Sequence, residues 1–165
     1  MPRGSHTGGD WHTVSDAIWK PHATVAALCE NQGRFLLVQE QVNGDIVFNQ
    51  PAGHLEQGES LIEAVIRETR EETQYEFTPT GLLGIYRFMP DDAEDLTYLR
   101  FLFCGRVGKQ LNGQLDDGII AAEWMSYEQI KSCQARHRSP MVMQCIDDYL
   151  DKTPCSLDLL SPHFN

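Results

Sequence analysis

Acidic residues recur at Glu59, Glu68, Glu71 and Glu72, with Arg67 among them, in a segment free of Gly and Pro from Glu59 to Gln74. At about 100° per residue, Glu72 falls about 40° to one side of Glu68 and Glu71 about 60° to the other, so three carboxylates share about a third of a helix surface. Val65, Thr69, Ile62 and Ile66 continue from that arc as an apolar face that would anchor the helix. Ala64 lies within the acidic arc and would leave space in front of it. Arg67 precedes Glu71 by one turn and can pair with it. Carboxylates beside an apolar face are partly desolvated, and a hard divalent cation such as Mg²⁺ binds through carboxylate and phosphate oxygens. Like charges at this spacing cost only about 0.2–0.5 kcal/mol per pair on an exposed helix, so spacing alone leaves a solvated acidic face as an equal reading.

The rest of the chain limits which chemistry those acids can serve. With 165 residues, one compact domain fits and two typical ones do not. Thirteen Lys and Arg against 24 Asp and Glu give a net charge of −11, which repels polyanions and argues against nucleic-acid binding. An anionic small-molecule substrate would need local Arg side chains or bound cations to overcome that field. Five cysteines form no CxxC pair, and with neither an apolar membrane run nor a leader pattern they point to a cytoplasmic protein without membrane contact. The opening Met1-Pro2-Arg3-Gly4-Ser5-His6 reads as the remnant of an expression tag, so residues 1–10 are set apart from the domain expected over 20–152 and the tail over 153–165.

The elements that must position the acids follow from local pattern. Residues 22–30 and 34–41 read as strands around the turn Asn31-Gln32-Gly33. Ile46-Val47-Phe48 leads into a shaped loop at Asn49-Gln50-Pro51-Ala52-Gly53. Ser60 and Glu63 have the form of a capping box at the head of the acidic helix. Strands are expected at 83–88, 97–107 and 119–126, with the acidic turn Asp91-Asp92-Ala93-Glu94-Asp95 between the first two. A short helix near 127–133 precedes a terminal one that starts at Ser139-Pro140. Strands around one central helix, closed by another, make an α+β fold: an α/β/α sandwich with a mixed β-sheet.

The acidic segment resembles the Nudix box, G-x5-E-x7-R-E-U-x-E-E-x-G-U with U apolar, at Gly53, Glu59, Arg67, Glu68, Glu71 and Glu72. Thr69 replaces an aliphatic residue, and Gln74 stands where the family closes with Gly, which removes the most favourable left-handed cap. Phe48-Asn49-Gln50-Pro51-Ala52-Gly53-His54-Leu55-Glu56, Arg100-Phe101-Leu102-Phe103, Arg138-Ser139-Pro140 and the start at Pro21-His22 are similar to the NudJ phosphatase branch of the Nudix hydrolases over about residues 20–150. The resemblance implies the Nudix fold and a Mg²⁺-dependent enzyme, with Mn²⁺ as a substitute. Its substrates would be nucleoside tri- and diphosphates or the pyrophosphate ester of the thiamine pyrimidine precursor, with release of inorganic phosphate. It implies Glu68 and Glu72 as metal ligands, Glu71 and the Ala52 carbonyl as further ones, and Gly53, Glu59 and Arg67 as their supports. Glu68 is the first choice of general base, and Asp117, in the pair Asp116-Asp117, the alternative. Cleavage of an internal bond to give a mononucleotide and a non-catalytic ligand sensor are the rival readings.

Arg34, Arg87, Arg100 and His54 are candidates to hold the substrate. Phe48, Tyr86 and Phe88 could stack on a base, although aromatic residues on strands are more often core. Cys29 and Cys104 fall in apolar runs and read as packing residues. A monomer and a homodimer are both compatible with the sequence.

Overall fold

The computed structural model describes residues 19–91 and 96–160; the tag-like start, Asp92–Asp95 of the acidic turn and the last five residues lie outside them. Among the described residues seven strands and three α-helices follow in the order β1 His22–Asn31, β2 Arg34–Val42, β3 Asp45–Asn49, β4 Ala52–His54, α1 Leu61–Thr73, β5 Tyr75–Phe88, β6 Tyr98–Gln110, β7 Ile119–Ser126, α2 Tyr127–Ser132 and α3 Met141–Asp151. The sheet order is β3-β2-β1-β6-β5, with β4 on β1 and β7 on β2. Only β1 and β6 run parallel among these pairs. No helix among the described residues is long and apolar enough to cross a membrane.

Alternation along β1 builds the layers. Val25, Ala27 and Cys29 pack with Ala64 and Val65 of α1, whereas Ala26 and Leu28 pack with Ile130 of α2 and Val142 and Ile146 of α3. One strand thereby feeds two cores, and the sheet is sandwiched between α1 and the α2–α3 pair. Burial pushes the Cys29 and Cys104 thiols upward, which keeps them as neutral packing groups.

The acidic helix is fixed at both ends. At its start the Ser60 side chain accepts from the Glu63 N–H at 3.2 Å, and the Glu63 carboxylate accepts from the Ser60 N–H at 2.8 Å. Replacing Ser60 with Ala is expected to lower stability by about 1 kcal/mol, read as a lower thermal midpoint with unchanged turnover per folded molecule. At its end Gln74 itself adopts the left-handed conformation, φ 57° and ψ 26°, without the glycine that suits it. Its side-chain amide donates to the Arg70 carbonyl at 3.1 Å and to the Gln114 carbonyl at 2.7 Å. Its own carbonyl accepts from the Leu111 N–H at 2.6 Å, and the Asp116 N–H donates to the Glu71 carbonyl at 3.0 Å. The C-terminal turn of α1 is thus bonded to the 111–116 connection.

Three expectations need correction. β5 starts eight residues earlier than the pattern at 83–88 suggests, because register shifts at Tyr75/Phe77, Pro79/Gly81 and Leu82/Gly84 carry the strand past its Pro and Gly. The segment at Asn49–Gly53 contains the short edge strand β4, paired with β1 through Thr24, Val25 and Ala26. On α1 the buried arc takes in Ala64, Val65, Glu68, Thr69, Glu72 and Thr73, while Ile66 is exposed. Glu68 and Glu72 therefore lie inside the buried face, Glu71 stays at its border, and Ala64 is filled against the core rather than open.

Candidate active site

Arg67 is the hub of the acidic cluster. Its guanidinium grips Glu59 with two hydrogen bonds of 3.1 and 2.7 Å, donates to Glu68 at 2.8 Å and to Glu71 at 3.1 Å, and reaches the His54 carbonyl at 3.0 Å. The planar fork suits this because each N–H meets a separate oxygen. Glu59 is fixed further by the Glu56 N–H at 2.7 Å, and its carboxyl is held below the usual range chiefly by the Arg67 hydrogen bond. One side chain thereby ties α1 to the loop before it and to β4.

Glu72 stands apart from that hub. Its carboxylate, 7% exposed, accepts from the Ala52 N–H at 2.8 Å on edge strand β4. Burial pushes it up to about 9, against the pull of the Ala52 N–H, and the negative charges of Glu40, Glu68 and Asp116 push in the same direction. Burial also raises Glu68, opposed by Arg67. Gly53 presses on the Glu68 carboxylate so closely that a Cβ there would overlap it. Gly53→Ala is therefore expected to displace that carboxylate and lower turnover about 100-fold while moving the thermal midpoint by only a few degrees; steady-state kinetics beside a melting curve checks this.

A cavity of about 830 Å³ opens beside Glu72. Gly53, His54, Arg100 and Asp117 line it, as do Glu40 and Arg138, which pair at 3.6 Å. Strand pairing orders its floor. Ala52, Ala26 and Leu102 form one cross-strand row, His54, Thr24 and Arg100 the next, and His22 and Tyr98 the one after, with Phe88 opposite Tyr98. His54 meets the His22 ring edge-on at 5.6 Å, and Phe88 stacks on Tyr98 at 6.5 Å.

The other sequence candidates lie elsewhere. Arg34 starts β2 at the hairpin end and donates to the Trp124 carbonyl at 3.1 Å, and Arg87 is exposed on β5; neither lines the cavity. Phe48 is core, with Arg136 over its ring at 4.6 Å, and the Tyr86 hydroxyl donates to Asp148 at 2.6 Å. Thr24, Glu40, Asn49 and Tyr98 line the cavity without having been singled out. Only strand pairing brings them together; the quoted Arg138-Ser139-Pro140 was the one sequence signal for that wall.

The donor set suits a hard divalent cation in kind. Among the described residues, Glu68 Oε2, Glu71 Oε1 and Glu72 Oε1 carry no hydrogen bond, so each acid keeps one oxygen open. No three His, Cys, Asp or Glu side chains among those residues are already gathered around a single point. Burial raises Glu72 most, and a cation would relieve the crowding of negative charge that adds to it.

The NUDIX domain pattern matches residues 19–145 of the chain. The chain is 38% identical over 133 residues to the phosphatase NudJ of Escherichia coli K12, covering 80% of this chain and 85% of the relative; the phosphatase NudJ of Shigella flexneri matches equally. A NUDIX hydrolase structure from Nitrosomonas europaea superposes with a TM-score of 0.84 at 46% identity, over 87% of this chain and 98% of that one. A UDP-X diphosphatase structure shares the fold, with a TM-score of 0.66 at 19% identity over 82% of this chain and 66% of that one.

Proposed function

Since the chain belongs to the Nudix family and is a hydrolase of phosphoric anhydrides, we propose that it is a Mg²⁺-dependent phosphatase of nucleoside di- and triphosphates or a related pyrophosphate ester, releasing inorganic phosphate. Residues 20–152 would form its single catalytic domain. The observation that carries the reading is Glu72: a buried carboxylate with one open oxygen, facing a large cavity and flanked by other acids.

Glu68, Glu71 and Glu72 would hold Mg²⁺, or Mn²⁺ in its place, with the Ala52 carbonyl as a further ligand. When bound, the cation supplies charge neutralisation to the phosphate oxygens and acidifies a water. Arg67 keeps Glu68 and Glu71 aimed while Glu59 holds Arg67 in place. Gly53 leaves the room that the Glu68 carboxylate occupies. Glu68 would accept the proton of the attacking water, and Asp117, exposed and lining the cavity, would be the alternative acceptor. Arg100 and His54 face the substrate from the floor.

Phosphate release from a panel of nucleoside di- and triphosphates and pyrophosphate esters, with Mg²⁺, Mn²⁺ or EDTA, tests this. Metal-dependent release of inorganic phosphate is the expected result. Mononucleotide with pyrophosphate as products would move cleavage to the internal bond. No turnover on any substrate with either metal would favour a ligand sensor and overturn the assignment.

A further inference from the structure

Arg100 is 9% exposed, and its Nε and Nη1 find no hydrogen-bond acceptor among the described residues. Such a group is costly to bury, because a guanidinium removed from water loses its hydration and regains it only from paired oxygens. The neighbouring Cys145 thiol is a weak partner, and Glu40 and Glu72 act on Arg100 by charge alone. Two more polar atoms of cavity-lining side chains are without a partner among the described residues, Thr24 Oγ1 and Asn49 Oδ1. All three side chains line the same cavity, and Thr24 is the cross-strand partner of Arg100. The guanidinium and the Thr24 hydroxyl can donate to a ligand with several oxygen acceptors and negative charge, while the Asn49 amide oxygen can only accept, from a hydroxyl or N–H of a ligand.

Its place between two other features gives the ligand a direction. The row containing Ala52, which donates to Glu72, lies about 7 Å to one side of Arg100, and the Tyr98–Phe88 ring pair lies about 7 Å to the other, two residues per row along the strands. Glu72, the Arg100 guanidinium and the ring pair therefore follow one another along the cavity.

We infer that Arg100, with Thr24, is the receptor for the phosphate that stays with the organic group of the substrate. The flat ring of that group then lies over Tyr98 and Phe88, and the terminal phosphate falls at the acids of α1. Water oxygen forms the new bond to terminal phosphorus, the bridging P–O bond breaks towards the phosphate held at Arg100, and the water protons pass to the acceptor carboxylate and the solvent. Inorganic phosphate is released and the shortened organic phosphate remains. This rests on the hydrolase reading and adds to it which residues hold the retained phosphate and the ring.

The test is made in EDTA, so that it stands independently of metal-dependent turnover. Calorimetry compares each of the four ribonucleoside monophosphates with its parent nucleoside. The wild-type protein is expected to bind at least one monophosphate 10-fold or more tighter than its nucleoside. Arg100→Met should bring that ratio near one, and Arg100→Lys, which keeps the charge but not the fork, should retain part of it. A wild-type ratio near one for every pair, no detectable monophosphate binding, or an undiminished ratio in a folded Arg100→Met protein overturns the inference. Should Arg100→Met fail to fold, the wild-type ratio and the Arg100→Lys protein still decide it: a wild-type ratio of 10 or more that Arg100→Lys reduces supports it, and an undiminished ratio there overturns it. If metal-dependent hydrolysis is absent while the ratio persists, the enzyme reading fails and the phosphate receptor stands.

Discussion

Glu72→Gln is expected to lower turnover about 10³-fold, corresponding to about 4 kcal/mol of lost transition-state stabilisation, without unfolding the chain. The substitution keeps the shape of the side chain and an oxygen that can accept from the Ala52 N–H. Without a cation the fold loses little, because the Glu72 carboxyl is pushed up to about 9 and is largely protonated at neutral pH. A carboxyl raised above its usual 4.5 contributes stability below that value, and the contribution is lost as pH rises towards 9. In EDTA, the melting temperature of the wild-type protein should therefore fall more steeply from pH 5 to 9 than that of Glu72→Gln. With Mg²⁺ the order reverses, since a ligand that binds the native state alone stabilises it by mass action and the variant has lost that gain. Near-normal turnover in Glu72→Gln would remove Glu72 from the machinery.

Arg67→Ala should damage both stability and activity. It strips hydrogen bonds from Glu59, Glu68 and Glu71 and from the His54 carbonyl at once, and leaves the 8%-exposed Glu68 facing other acids with no counter-charge. The expected loss is about 2–3 kcal/mol of stability, below that of a fully buried pair because the Arg67 side chain is 21% exposed. Turnover should fall about 10–100-fold in the fraction that remains folded. Arg67→Lys should recover most of the stability but little of the turnover, since an ammonium cannot span Glu59 with two parallel bonds while also meeting Glu68 and Glu71. Denaturant titration and kinetics on the same samples separate the two effects.

What could be read in advance was local. The capping box at Ser60 and Glu63 and the ion pair of Arg67 with Glu71 depend on residues three and four apart, and both are present. The alternation of β1 announced a buried strand, though not that its two faces serve different cores. The opening half of β5 was hidden because Pro79 and Gly81 normally end strands, and only the bulges against β6 let this one continue. The three arginines read from the sequence as substrate candidates show the limit most clearly. Arg34, Arg87 and Arg100 look alike as isolated cations on strands, and register alone places Arg100 beside Thr24 under the cavity while Arg34 ends at the hairpin. Tyr98 carried no signal for the same reason: its neighbours are distant in the chain.

Gln74 occupies a conformation that glycine would hold more easily, and its amide joins the tail of α1 to the backbone at Gln114 while Glu71 and Asp116 are joined beside it. The segment that carries Asp116 and Asp117 is therefore not free to drift in length or shape independently of the helix that presents the acids. An insertion there would be felt as a misalignment at Glu71 and Glu72, so a change in what this enzyme accepts has to preserve the length of that connection.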